Sequence, residues 1–226
     1  MGTAAALYGV YGTGGPPTTI LESSSEPRQS TAGERIAVAP PPVSPLDVLE
    51  LRRAELERDR NAPVLGNPEG DVTVVEFFDY NCPFCKKIAD DMRALIENDP
   101  GVRLVYREWP IINQGSRFAA RAALAARRQG KYEELHWALM ARPRVTEELT
   151  LRVARSIGID IPRLLNDMNH RSVARHIALS MDLARSLGIN GTPSFVIGDK
   201  IARGIITPEE LTQYVRDARA AQAGRQ

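Results

Sequence analysis

Val72-Thr-Val-Val-Glu-Phe-Phe-Asp-Tyr-Asn-Cys82-Pro-Phe-Cys85 runs an apolar, β-branched segment directly into a Cys-x-x-Cys. Val72–Phe78 is β-branched and aromatic, with apolar residues on both of its alternating faces. That is the pattern of a strand buried inside a sheet. Beyond it, Cys85, Ile88, Met92 and Leu95 recur at three- and four-residue spacing, with Lys86, Lys87, Asp90, Asp91 and Arg93 between them. This is an amphipathic helix, stopped by Asn98-Asp-Pro-Gly101. Cys82 and Cys85 are the only 2 cysteines in the chain.

Two thiols three residues apart at the start of a helix read as a redox pair. Disulfide exchange needs one thiolate nucleophile and a second thiol near enough to resolve the mixed disulfide. The first cysteine faces unsatisfied backbone N–H groups and the positive end of the helix dipole, which favour its thiolate. Cys82 is therefore the expected nucleophile and Cys85 the resolving thiol. Pro83 suits the first helical turn, where a missing N–H costs nothing. A zinc site needs about four ligands, and no second Cys-x-x-Cys or paired-histidine motif accompanies this one. Haem attachment needs a histidine after the second cysteine, and Lys86 stands there. A purely structural bridge closing so small a loop stabilises little. His136, His170 and His176 lack metal-ligand spacing and are expected on the surface or in helix packing. No cofactor and no metal is expected.

Val102–Trp109 is a second strand closed by Pro110, so strand, helix and strand form a βαβ unit with a parallel pair. Residues from Gly115 to Leu187 read as helical throughout. The apolar rows are Phe118, Ala122 and Ala125; Leu135 and Leu139; Leu149, Val153 and Ile157; Leu164, Leu165 and Met168; and Val173, Ile177, Met181, Ala184 and Leu187. Gly188 is the expected C-cap of the last. Strand signals return at Ser194–Gly198 and Lys200–Ile206, joined by a tight turn at Gly198-Asp199, which read as a hairpin. Thr207-Pro-Glu-Glu210 is a capping box with proline in the first turn, and the helix behind it carries Leu211, Tyr214, Val215 and Ala218 on one face.

Before the first strand the composition changes twice. Residues 1–45 are rich in Gly, Pro, Ser and Thr and cannot bury enough apolar surface to fold, so they are expected to be a disordered linker. The mildly apolar start, Met1–Tyr11, is either the remnant of a signal or anchor or part of that linker. Residues 46–61 turn to Leu, Glu and Arg and should form a helix. Leu46, Leu49 and Leu56 keep an a/d spacing with Arg53 at the missing position. A helix lying on the main domain is expected, with a homo-oligomer through this helix as the alternative. The net charge of +1 gives no reason to expect nucleic acid, and no stretch approaches the roughly 18–20 apolar residues of a membrane span.

Glu76-Phe-Phe-Asp-Tyr-Asn-Cys-Pro-Phe-Cys85 together with Gly191-Thr-Pro-Ser-Phe195 resembles the DsbA-like thioredoxin-fold oxidoreductases of bacteria, and among these looks closest to the ScsC-like branch. The resemblance runs from about Asn61 to the C-terminus. It implies an α/β thioredoxin-like fold (βαβ…ββα) with an inserted helical subdomain: a first half over 62–114, the insertion over 115–188 and a second half over 189–226. Pro193 matches the family's cis-proline, whose loop faces the redox pair and holds an extended substrate. Thr192 matches the position that tunes redox behaviour and partner choice. Glu76 matches a buried acid beneath the cysteines, a proton relay for Cys85; the alternative is an exposed residue at a strand edge. Phe84 either tunes the thiols or contacts substrate, or merely fills a solvent-tolerant position. The resemblance further implies substrate proteins bearing cysteines, a membrane or soluble partner that recycles the enzyme, and a periplasmic or other extracytoplasmic setting. Proline after the first cysteine resembles the oxidising branch, so a disulfide-donating oxidase is expected. Isomerase or reductase action is the alternative, and a copper-binding module using the thiols as soft ligands is the reading from a different class.

Overall fold

Ser44 opens the part of the chain that the computed structural model describes, residues 44–224. The linker expected over 1–45 therefore lies outside the described residues, apart from Ser44 and Pro45, which begin a helix instead. Ser44 and Asp47 form a reciprocal capping box on α1 (Pro45–Arg58). Then follow β1 (Val64–Gly66), β2 (Val72–Phe78), α2 (Pro83–Asn98), β3 (Val102–Glu108), α3 (Gln114–Ala126), a 3-10 turn at Arg127–Gln129, and α4 (Tyr132–Met140). After these come α5 (Glu147–Ser156), α6 (Ile161–Asp167), α7 (Arg171–Ser186), β4 (Ser194–Ile197), β5 (Lys200–Arg203) and α8 (Pro208–Ala223).

The five strands form one sheet in the order β1-β3-β2-β4-β5. β2 and β3 are parallel, as the helix between them requires, while β1 on β3, β4 on β2 and β5 on β4 are antiparallel. β2 is buried along its whole length, which is why its sequence is apolar on both faces. One face, carrying Val74, Phe78, Leu104 and Tyr106, packs against α2, α3, α4 and α8. The other, carrying Val75, Phe77, Val105 and Val196, receives Leu49 and Leu56 of α1 and Leu183, Ala184 and Leu187 of α7. This is the thioredoxin-like α/β fold with five helices inserted between β3 and β4.

α1 lies on the domain. Its last carbonyls, which no helical N–H can reach, are met by two arginines of β3: Arg103 donates to Glu57, and the fully buried Arg107 donates to Glu55 and Leu56. Both cations sit at the negative end of the helix dipole. Arg53, at the gap in the leucine spacing, binds Glu57, Asp199 and the Gly198 carbonyl, while Leu46 stays exposed.

The structure corrects the sequence reading in three places. The turn-rich segment before β2 contains β1, which three residues were too few to announce; its register on β3 pairs Val64 with Val105. Gly66 is needed there, with φ of 71° and a Cβ position only 2.8 Å from the Val102 carbonyl oxygen. The second hairpin strand ends at Arg203 rather than Ile206. On α7 the buried row is rotated: Met181 is 43% exposed, whereas His176 and Ser180 are fully buried. His176 can be buried because Glu108 and Asp59 wait for it at 2.6 and 3.5 Å. Of the other histidines, His136 is buried among aromatic rings and His170 caps α7.

Candidate active site

The C-terminal end of β2 delivers the chain to the site. Cys82 is the N-cap residue of α2, with extended backbone (φ −73°, ψ 118°), and its Sγ accepts the Cys85 N–H at 3.4 Å. Pro83 occupies the first turn. β4 pairs antiparallel with β2, setting Ser194 beside Phe77 and Phe195 beside Glu76. The residues just before β4 therefore arrive at the cysteines. The Thr192–Pro193 peptide bond is cis, and the Thr192 carbonyl accepts from Cys82 Sγ at 3.2 Å. Both cysteines are free thiols.

The two sulfurs differ sharply in acidity. The hydrogen bond from the Cys85 thiol lowers the Cys82 pKa to about 6, against the cost of burial; bonds from the Thr192 side chain and from the Cys85 and Phe84 backbones add to it. Cys85 is pushed far above the ordinary thiol range, first by burial, then by its bond to Cys82 and the nearby charge of Glu76. At neutral pH the pair is thus a Cys82 thiolate accepting the Cys85 S–H; the bond donated to the Thr192 carbonyl belongs to the protonated form of Cys82.

Glu76 lies on β2 beside Tyr106 of β3, on the sheet face that α2 covers. It is 2% exposed, which excludes the exposed strand-edge alternative. Its carboxyl makes no hydrogen bond or ion pair with another described residue. Burial, with the Cys82 charge second, raises its pKa to about 8. Five of the residues singled out from the sequence, Cys82, Cys85, Glu76, Thr192 and Pro193, therefore meet in one place. Pro83 and Phe84 stand at its rim, Phe84 55% exposed.

Sequence reasoning missed the residues between β2 and Cys82. Asp79 is buried, and its carboxylate accepts four donors: the N–H groups of Asn81, Ile111 and Ile112 and the hydroxyl of Ser116. Asn81 reaches α3 and the loop after α4. Lys86 is half-buried, donates to the Tyr80 carbonyl, and has its pKa lowered by burial against the pull of Cys85, Asp79 and Cys82. Tyr80 in turn places its hydroxyl 3.1 Å from Nδ1 of His136. His136 packs edge-on to Phe78 and tilted on Tyr106, and burial lowers its pKa to about 3, so it is a neutral core residue. An Asx residue ahead of a helix hints at a turn, but nothing local names its partners. Among the described residues, no group of 3 or more His, Cys, Asp or Glu could hold a metal ion.

A family model of the DSBA-like thioredoxin domain matches residues 73–216. Among solved structures, the chain is similar to a thioredoxin-like oxidoreductase from Silicibacter pomeroyi DSS-3, with 56% identity and a TM-score of 0.73 over 74% of this chain and 98% of that one. It is also similar to the catalytic domain of Proteus mirabilis ScsC, with 25% identity and a TM-score of 0.70 over 77% and 98% of the two chains. Among curated proteins, it is 33% identical over 164 residues to the Na(+)/H(+) antiporter NhaA 3 of Salinispora tropica, covering 70% of this chain and 25% of that protein. The chain thus spans about a quarter of the length of the antiporters it matches.

Proposed function

Because the chain belongs to the family of DSBA-like thioredoxin domains, we propose that it is a thiol–disulfide oxidoreductase that donates a Cys82–Cys85 disulfide to cysteines of substrate proteins. The observation that carries this reading is the opposed acidity of two adjacent thiols, one open to the Thr192–Pro193 loop and one sealed beneath it.

A substrate thiolate attacks Cys82 Sγ of the oxidised pair. The Cys82–Cys85 bond breaks, and Cys85 leaves as a thiolate that its buried site strongly disfavours. Glu76, protonated below its pKa of about 8, is the acid proposed to supply the proton. A second substrate thiolate then attacks the substrate sulfur of the mixed disulfide. Cys82 departs as a stable thiolate, two electrons having passed from substrate to enzyme. A low-pKa leaving thiol speeds this last step and stabilises the reduced enzyme, which supports donation over reduction. Thr192 and Pro193, beside the nucleophile, and Pro83 and Phe84, on the rim, are the groups proposed to hold the substrate peptide. The proposed setting is periplasmic or otherwise extracytoplasmic, where disulfides persist, with a membrane or soluble redox protein re-oxidising the pair. No helix among the described residues is long and apolar enough to cross a membrane.

The test is the reduction potential against glutathione, together with oxidation of a reduced two-cysteine peptide. A poise near −120 mV with peptide oxidation supports the donor reading; a poise near −270 mV makes the protein a reductase. Cys82→Ala should abolish exchange, and Cys85→Ala, offered the disulfide-bonded form of the peptide, should accumulate the mixed disulfide as the Cys82 thiolate attacks the peptide disulfide and releases one peptide thiolate. Absence of that adduct would reverse the two roles.

A further inference from the structure

Asn81, the residue before the nucleophile, spends its side chain on the helical insertion rather than on its own strand. Its Nδ2 lies 2.9 Å from the Val145 carbonyl, 3.1 Å from Asn113 Oδ1 and 3.2 Å from Ser116 Oγ. Its Oδ1 accepts the Val145 N–H at 2.7 Å. The carboxamide therefore binds both backbone groups of one residue, and because Val145 N–H can only donate, the orientation of the amide is determined. Val145 is buried in the loop between α4 and α5, and Asn113 caps α3. The contact is close on the far side too: a Cβ at Gly115 would fall 2.2 Å from the same Val145 carbonyl oxygen.

Asp79 completes the arrangement from the other end of the loop. Its carboxylate holds Ser116 and the Asn81 N–H, and its own carbonyl accepts the Cys82 N–H at 3.0 Å. The three residues between β2 and the redox pair are thus clasped to α3 and to the α4–α5 loop by directional bonds, in a part-buried site where such bonds hold geometry tightly. Cys82 Sγ depends on that geometry, since its partners Cys85 N and Thr192 O come from two other elements.

We propose that Asn81 is a positioning residue for Cys82, through which the helical insertion sets the reactivity of the nucleophile. The inference rests on the proposed exchange activity, but its principal readout does not require it. In the full chain, the pH profile of Cys82 alkylation by iodoacetamide gives its pKa directly. Asn81→Ala is expected to raise that pKa by about one unit, to slow alkylation at pH 6 by up to about tenfold, and to lower kcat/KM for peptide oxidation by a similar factor. Gly115→Ala strains the same clasp from the insertion side without changing the 79–82 loop, and should shift the pKa in the same direction; it also serves if Asn81→Ala does not fold. Lower thermal stability with an unchanged Cys82 pKa and an unchanged reduction potential would overturn the proposal and leave Asn81 a structural residue. A wild type that is alkylated normally but oxidises no peptide would instead overturn the exchange activity.

Discussion

Glu76 on β2 and Asp59, just beyond α1, are both withdrawn from solvent, yet they reach opposite states. Around Asp59 the chain gathers compensation: Arg107 at 3.0 Å, His176 at 3.5 Å, and the N–H of Asn61. Burial works against the Asp59 charge, but these partners outweigh it and hold its pKa well below the usual range. His176 likewise stays above the ordinary histidine value, because the charge of Glu108 and the bond to Asp59 outweigh its burial. Glu76 has no such company. It faces the apolar underside of α2 and the Cys82 sulfur, so burial decides and its proton is retained to about pH 8. A part-buried carboxyl with cations beside it fastens a helix to a sheet. One without them keeps its proton into the range where thiols titrate.

The largest effect should come from breaking the compensated side. Arg107→Met leaves the part-buried Asp59 with one partner fewer and the Glu55 and Leu56 carbonyls unmet, and should destabilise the fold by about 3–5 kcal/mol in urea unfolding. Cys82 alkylation should not change; if its pH profile moved with Arg107, the two sides of the sheet would not be separable in this way.

Glu76→Gln breaks the uncompensated side. The step that protonates Cys85 should slow by about 10²-fold, read as slower formation of the mixed disulfide in single-turnover exchange with the oxidised protein. Stability should move the other way. The folded pKa of Glu76 lies above its unfolded value of 4.5, so its contribution is present below pH 4.5 and is lost as pH rises through 8. Relative to wild type, Glu76→Gln should therefore gain stability through that window, by up to about 1.4 kcal/mol per pH unit. Cys82, with its lowered pKa of about 6, acts in the opposite sense above that pH, so the difference between the two proteins isolates Glu76. A flat difference from pH 4.5 to 8 would show that Glu76 ionises in the folded protein as it does in water.

The smallest effect sharpens the contrast. Arg219 grips Asp71 and Asp99 at 2.6–3.2 Å, but in the open. Arg219→Ala should cost less than about 1 kcal/mol, because solvent already serves those charges. A loss as large as that of Arg107→Met would mean that burial is not what separates these sites.

Val72–Phe78, Cys82, Cys85 and the 3.6-residue rows of α2 and α8 were legible because each is a local pattern. Alternation, helical spacing and capping pairs follow from neighbours a few residues away. The same locality explains the failures. His176 looked polar and Met181 apolar, and only the neighbours that α7 meets, Glu108 and Asp59 against open solvent, reversed their places. β1 needed the edge of β3 to become a strand. Asn81 and Val145 are 64 residues apart, and Cys82 and Thr192 110 apart. The place of the two thiols at a helix start was therefore determined by the sequence alone, since the strand, the pair and the first helical turn lie within fourteen residues. Which thiol keeps its proton, which carboxyl holds one in reserve, and what steadies the loop between them were decided by the tertiary structure, because burial and partner choice belong to the elements that pack around a residue and not to the residues beside it in the chain.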